Sequence, residues 1–301
     1  WTSLSFTQSP GNLVILHLGR LAGPLLVTAA IVAVNGLLAE GWGLARKGDT
    51  AGSQRLGAIA VGGLLVAHLV GFGLYAQPLG DRPAAALQLG VVQGNIPTRE
   101  KLSAMGIRRA VDRYISGYET LAQQGVDGVL TPEGALPLFW NPATNPMRQA
   151  VLERGVPLWL GTFVKDDRQI TQSLLAIAGD GAVVGRYNKV KLVPLGEYIP
   201  FQETLGKLIN RLSPIEANMI PGTMSQQFAT PLGRAIASIC YESAFPALFR
   251  NQAVAGGEFI LTASNLDPYS EVLMAQHQAQ DLLRAIETDR WAARATNTGY
   301  S

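Results

Sequence analysis

The chain has 301 residues, of which 48% are hydrophobic and 15% charged, where a soluble domain usually carries about a quarter charged residues. Its net charge of +2, with no basic stripe interleaved with aromatics, argues against a nucleic-acid partner. A single cysteine excludes an internal disulfide, and His17, His68 and His277 are scattered without HxxxH or CxxC spacing, so neither metal nor cofactor is expected.

Two apolar stretches come first in the chain. No charged residue lies between Pro24 and Leu38, or between Leu56 and Leu79, where His68 is the one histidine. The second stretch matches the ~20 residues that cross a bilayer core. The first reaches that length only if His17 and Arg20 are included, so it is expected to begin as an interfacial or re-entrant piece. Membrane spans are therefore expected at about 22–40 and 56–78. Gly62, Gly63, Gly71 and Gly73 suit close packing between membrane helices, which small residues allow. Two such stretches without a basic segment ahead of them do not read as a signal peptide. A chain opening on Trp1 is expected to be part of a longer one, with further spans upstream. Arg46, Lys47 and Arg55, set against Glu40 and Asp49, make the link between the spans cytoplasmic by the positive-inside rule. Residues after Pro78 then lie outside. A membrane region, 1–80, is thus expected ahead of a second domain, 81–301.

From Ala84 the pattern changes to alternating strands and helices. A strand over 85–93 ends at the Gly94-Asn95 turn, and a helix over 99–123 carries Ile107, Ala110, Val111, Tyr114, Ile115 and Leu121 along one face. A short strand, 128–130, ends just before Glu133. Strands follow over 157–164, 172–177 and 182–187, with Gly179-Asp180-Gly181 as a hairpin signal, and then over 233–239 and 259–263. A long helix over 270–293 has Leu273, Leu282, Leu283 and Ile286 as its apolar stripe, and Arg284 and Glu287, one turn apart, are expected to support each other. Mixed strands and helices of this kind suggest an α/β fold with sheets covered by helices.

Three strand ends carry the chemistry. Cys240 directly follows the strand over 233–239, and by residue type alone it is either a small buried hydrophobe or a reactive thiol. Thr131-Pro132-Glu133-Gly134 puts a carboxylate just past an apolar run. Tyr187-Asn188-Lys189-Val190-Lys191 puts two lysines before a Pro/Gly-rich loop that reaches Glu197 and Tyr198. Glu, Lys and Cys in that order are the parts of a thiol nucleophile with its own base and oxyanion donor.

These three segments resemble the Glu-Lys-Cys triad of the nitrilase, or carbon-nitrogen hydrolase, superfamily. More narrowly, the chain is similar to the apolipoprotein N-acyltransferase family, bacterial membrane enzymes that complete lipoprotein maturation. That likeness rests on Gln93-Gly94-Asn95-Ile96-Pro97, the segment from Lys189 to Tyr198, Ile239-Cys240-Tyr241-Glu242, Arg294-Ala295-Thr296-Asn297-Thr298-Gly299 and the apolar N-terminal region.

The resemblance implies a nitrilase-like αββα sandwich preceded by transmembrane helices. It implies Cys240 as nucleophile, Glu133 as general base and Lys189, which lowers the thiol pKa and donates to the oxyanion beside the Tyr241 backbone N–H. Lys191 falls where the family lysine does not and is expected to face solvent. Glu197 would hold Lys189 and Glu242 would orient the Cys240 loop, each with a plain structural salt bridge as the alternative. Asn265 would line the pocket. Leu266-Asp267-Pro268-Tyr269 stands where many family members have an aromatic-rich loop with Trp. The chain stops soon after Asn297-Thr298-Gly299, so later strands and a closing span are expected beyond Ser301.

The implied reaction moves an acyl chain from a phospholipid donor to Cys240, then to the N-terminal amine of a diacylglyceryl-cysteine lipoprotein. The implied place is the bacterial inner membrane, multi-pass, with the catalytic domain facing the periplasm. A membrane-tethered nitrilase-type amidase, in which water resolves the thioester, is the main alternative. A non-catalytic scaffold is a third, and it would not need Glu133, Lys189 and Cys240 together.

Overall fold

The two uncharged stretches become long helices. In the computed structural model, which describes residues 3–77, 86–101, 103–167, 169–194, 196–198 and 219–301, a short helix α1, Leu13–Leu16, precedes α2, Gly19–Arg46, and α3, Thr50–Ala76. At 28 and 27 residues, α2 and α3 are long and apolar enough to cross a membrane. Leu25, Val32, Trp42, Leu65, Leu69 and Phe72 are each more than half exposed, an apolar area that a monomer in water would hide. The backbone leaves helical conformation at Ala22 and Gly23, so the uninterrupted part of α2 starts at Pro24, where the missing N–H costs nothing. The short piece ahead of that break carries Arg20, which donates to the Leu74 carbonyl at 2.9 Å and pairs with Asp289 at 2.9 Å. The Asp49 side chain caps α3 by accepting the Gly52 N–H.

The four named glycines differ in what surrounds them among the described residues. Of the four named glycines only Gly71 makes a close approach, to the Val14 carbonyl of α1, where any side chain would collide. A side chain at Gly62, Gly63 or Gly73 would meet nothing within 4 Å. Gly41 of α2 packs instead on Ser53 and Leu56 of α3. An all-round apolar helix gives no polar face from which the packed side could be read. The expected end of the second span at 78 and the domain boundary at 80–81 lie outside the described residues.

The chain folds as two compact units, Trp1–Arg82 with Gln278–Arg290, and Pro83–His277 with Trp291–Ser301. The first holds the apolar helices, with Ile15, Leu16, Leu18, Val27, Leu283 and Ile286 in one buried cluster. Its Arg284 and Glu287 pair at 2.8 Å, as their spacing predicts.

The second unit is built on two sheets. Strands β1 (Leu89–Val91), β2 (Gly128–Leu130), β3 (Leu158–Asp166), β4 (Gln169–Ile177) and β5 (Val183–Asn188) lie side by side in that order. The first three run parallel, and β4 and β5 add antiparallel. The other sheet orders β6 (Phe228–Thr230), β7 (Gly233–Ile239), β8 (Phe259–Ser264) and β9 (Ala292–Thr296), with β7, β8 and β9 parallel. Strand alternation assigns each side chain to a layer. Val129, Leu158, Leu160, Leu175 and Ile177 face Ala110, Tyr114 and Tyr118 of α5 (Ala104–Gln123) and Met147 and Ala150 of α6 (Pro146–Arg154). Their neighbours Leu130, Trp159, Leu174 and Ala176 pack instead against Ala235, Ala237, Ile239, Leu261 and Ala263 of the second sheet. On its far side α7 (Pro246–Val254) docks through Gln252, which accepts the Ala237 N–H and donates to the Ala237 carbonyl, both at 2.9 Å. Helix, sheet, sheet and helix make the expected αββα sandwich.

Some elements differ from the sequence reading. The helix over 99–123 is two, α4 (Thr98–Lys101) and α5, because Ser103 caps the second by accepting the Gly106 N–H. The helix over 270–293 ends earlier, as α8 (Glu271–Thr288), where Asp289 turns the chain at φ 57°. The Ala-rich run that follows becomes β9, since parallel pairing with β8 outweighs its weak strand propensity. Helices α6 and α7 and strand β6 carried no signal strong enough to be anticipated.

Candidate active site

Glu133 is placed by the turn that leaves β2. Thr131 Oγ1 donates to the Trp159 carbonyl and accepts from the Gly161 N–H, both at 3.1 Å, pinning the turn to β3. Gly161 has to be glycine, because a side chain there would strike the Pro132 carbonyl. The Glu133 carboxylate is held at both oxygens: Oε1 accepts from Lys189 Nζ at 2.8 Å and Oε2 from the Asn265 N–H at 3.1 Å.

Lys189 follows β5, its N–H donating to the Gln172 carbonyl at 2.8 Å. Its side chain is fully buried, and Nζ also donates to Glu197 Oε1 at 2.5 Å. Glu197 Oε2 accepts the Val193 N–H at 2.9 Å, so the loop carboxylate is itself fixed. Burial works against the Lys189 ammonium, but Glu133, Cys240 and Glu197 outweigh it and hold its pKa above the ordinary lysine value. Two of its three N–H donors serve these carboxylates, which leaves a third for a substrate oxygen.

Cys240 stands where β7 gives way to a tight turn, Cys240–Ala244, with φ at 50°. A side chain other than glycine rarely adopts that left-handed conformation, and strain of this kind concentrates at functional sites. Glu242 holds the turn in place. Its buried carboxylate accepts N–H groups from Ile239 at 2.7 Å, Val190 at 2.6 Å and Lys191 at 3.1 Å, and the Tyr187 hydroxyl at 3.1 Å. Burial raises its pKa to about 7, and the Ile239 and Val190 N–H groups oppose that rise. One carboxylate thus ties the Cys240 turn to the Lys189 loop. Glu242 is a hydrogen-bond hub.

Burial pushes the Cys240 thiol up to about 12, with Glu133 and Glu197 acting the same way and Lys189 and the Asn265 N–H opposing them. The expected lowering by Lys189 is present but outweighed. At neutral pH the thiol is protonated, so attack on a carbonyl requires a base to take the proton as the bond forms. The Asn265 N–H that donates to Glu133 also favours the Cys240 thiolate, so the carboxylate and the thiol share one backbone group.

The other expected residues take particular positions. The Asn265 side chain joins Thr98 Oγ1 and Asn297 Nδ2, both at 3.1 Å, so its backbone N–H rather than its amide meets Glu133. The Tyr241 ring packs edge-on against Phe245 with centroids 5.1 Å apart. Lys191 is partly exposed, and its Nζ lies 5.3 Å over the Phe245 ring. His277 was missed as a site residue. It is buried on α8, its Nε2 is 2.9 Å from the Cys240 carbonyl, and its Nδ1 is 2.8 Å from Arg294 Nη1. Burial, reinforced by Arg294, lowers its pKa to about 3, so it is neutral. Arg294 can only donate, which leaves the proton on Nε2 and makes His277 a donor to the Cys240 carbonyl. Nothing in the sequence marks this pairing beyond His277 sharing the inner face of its helix with Met274.

The carbon-nitrogen hydrolase family model matches residues 86–300. The chain belongs to that family. Its carbon-nitrogen hydrolase domain also has the nitrilase fold in solved structures: Nit3 of Saccharomyces cerevisiae, a member of the nitrilase superfamily, superposes with a TM-score of 0.51 at 17% identity, covering 72% of this chain and 78% of that one. Among curated relatives, an apolipoprotein N-acyltransferase of a Nostoc species is 56% identical over all of this chain and 60% of its own length. One of a Synechocystis species is 46% identical over all of this chain and 59% of its own. One of Pseudomonas aeruginosa is 32% identical over 71% of this chain and 43% of its own. The chain thus spans about three-fifths of the length of the first two.

Proposed function

We propose that the protein containing this chain is a membrane-bound N-acyltransferase of the apolipoprotein type. The observation that carries this reading is the extent of the likeness. Relatives bearing that name align with the whole chain, including the two apolar helices, whereas the hydrolase family model begins at residue 86. Helices able to hold the protein in a bilayer suit substrates that both carry lipid tails.

In the first half-reaction Cys240 Sγ attacks the ester carbonyl of a phospholipid while Glu133 takes the thiol proton. The oxyanion that forms is stabilised by the Lys189 ammonium and the Tyr241 backbone N–H. Its collapse expels the glycerol oxygen, to which Glu133 returns the proton, giving a lysophospholipid and a Cys240 thioester. In the second half the N-terminal amine of a diacylglyceryl-cysteine lipoprotein attacks the thioester and gives its proton to Glu133. The Cys240 thiolate leaves and recovers that proton. Glu197 and Glu242 hold Lys189 and the Cys240 turn in place, and Asn265 holds Glu133.

Arg46, Lys47 and Arg55, where the two apolar helices join, support the reading that the domain carrying the site faces the periplasmic side of the inner membrane. Reporter fusions after Lys47 and after Gly181 should report opposite compartments, and same-side signals would remove the periplasmic assignment. The activity itself is tested by incubating the full-length protein with phospholipid and mapping its peptides by mass spectrometry. The Cys240 peptide should gain the mass of one acyl chain. A Cys240 peptide that stays unmodified while lipoprotein is still acylated would contradict the assignment.

A further inference from the structure

Cys240 and Tyr241 share one peptide group, whose N–H is the oxyanion donor of the reaction above and whose carbonyl oxygen lies 2.9 Å from His277 Nε2. The peptide is trans, so its carbonyl and its N–H point in opposite directions. Whatever fixes the carbonyl therefore aims the N–H. Glu242 restrains the chain just before this group, through the Ile239 N–H at 2.7 Å. Cys240 itself is at φ 50°, a conformation that a side chain other than glycine keeps only when its surroundings hold it there. His277 is only 1% exposed, and its ring is oriented by Arg294, whose Nη1 lies 2.8 Å from Nδ1. Arg294 is held in turn by the Tyr300 carbonyl, to which its Nε donates at 2.7 Å. A guanidinium can only donate, so Nδ1 accepts and Nε2 carries its proton toward the Cys240 carbonyl. A histidine that merely filled space beside the sheet would need neither a fixed tautomer nor a residue behind it to select one.

We propose that His277 is a positioning residue for oxyanion stabilisation: by donating to the Cys240 carbonyl it fixes the Cys240–Tyr241 peptide so that the Tyr241 N–H is aimed at the oxyanion, and Arg294 selects the tautomer that can do so. The role is exerted through the peptide, and His277 itself meets neither substrate nor thiol. The same bond polarises the peptide, since a hydrogen bond accepted at the carbonyl strengthens the donor at the other end. Without it the peptide can turn about its two flanking single bonds. That rotation swings the N–H away from the oxyanion and brings the carbonyl, a repulsive acceptor, toward it. Donors of this kind act when they stand about 2.7–3.1 Å from the developing charge. A misplacement of about 1 Å can cost about 10²-fold in rate.

This inference rests on the acyltransferase reading, with the Tyr241 N–H as oxyanion donor, and the test separates the two. Two reactions of Cys240 are compared in the full-length protein, each followed on the Cys240 peptide by mass spectrometry. Acylation by an acyl-labelled phospholipid attacks a carbonyl and generates an oxyanion. Alkylation by iodoacetamide uses the same thiol but displaces iodide from a saturated carbon and generates none. His277→Phe keeps a ring and removes both nitrogens, and His277→Leu is a second variant should the new ring not be accommodated. In both, acylation should fall by about 10²-fold while alkylation stays within about threefold of the wild type. His277→Gln, which carries an N–H at about the reach of Nε2, should recover about tenfold of the lost acylation. Acylation and alkylation that fall together would mean that His277 only maintains the shape of the site. Acylation unchanged in His277→Phe or His277→Leu would mean that the peptide keeps its aim without the imidazole. Either result overturns the role of His277 alone. A wild-type protein that is alkylated at Cys240 but takes no acyl chain would overturn the acyltransferase reading, and the role of His277 with it.

Discussion

Cys240→Ala in the full-length protein should abolish acyl transfer and leave the fold intact. No second thiol exists in the chain to take over. The hydrogen bonds that set the Cys240 turn come from Glu242 and His277 and engage backbone groups that alanine keeps. Removing the nucleophile of a concerted set costs on the order of 10⁶ in rate. Transfer of labelled acyl chains from phospholipid should fall to background, with an unchanged melting transition. Residual transfer within tenfold of the wild type would mean that another group forms the acyl intermediate.

Lys189→Met should be nearly as damaging and should also weaken the fold. Lys189 Nζ sits between Glu133 at 2.8 Å and Glu197 at 2.5 Å, all three side chains largely buried. Methionine matches the lysine stem in volume but leaves two carboxylates facing each other without a cation. Breaking a buried ion pair from one side costs about 3–5 kcal/mol. The protein can lower that cost by protonating a carboxyl group, and Glu197 is the candidate, since burial already raises its pKa. A carboxyl group with a raised pKa in the folded state is least unfavourable when protonated. The variant should therefore lose stability, relative to wild type, as pH rises through the ordinary carboxylate range. Loss of an oxyanion donor adds about 10²–10³ in rate. Thermal melting against pH and a transfer assay check the two parts. A loss below tenfold with an unchanged melting profile would contradict the placement of Lys189 at the centre of the site.

Part of this site was legible in the sequence because its members are polar residues at the ends of apolar strands, where strand ends of an α/β fold gather. Glu133, Lys189 and Cys240 each carry that mark, and the structure brings Glu133 onto Lys189 and both into the field of Cys240. Glu242 was legible as a neighbour of Cys240, but its reach to Val190 and Lys191 depends on two loops brought together from different sheets. His277 was not legible. It is one polar residue in an otherwise ordinary helix, and only the fold reveals that it is buried beside a site backbone carbonyl. β9 was hidden for a related reason, since Ala292, Ala293 and Ala295 continue a helical composition until pairing with β8 decides otherwise. In the apolar helices the missing information was direction: composition identified the spans but not that Gly71, rather than Gly62 or Gly63, meets another backbone.

The most direct test asks what resolves the Cys240 thioester. The full-length protein is loaded with labelled phospholipid, freed of donor and held without acceptor, and then given a peptide with an N-terminal diacylglyceryl-cysteine. A site that excludes water protects the thioester, so the label should stay on Cys240 until the peptide is added and then appear as N-acylated product. Rapid release of free fatty acid before any acceptor is present would identify a hydrolase and contradict the acyltransferase assignment.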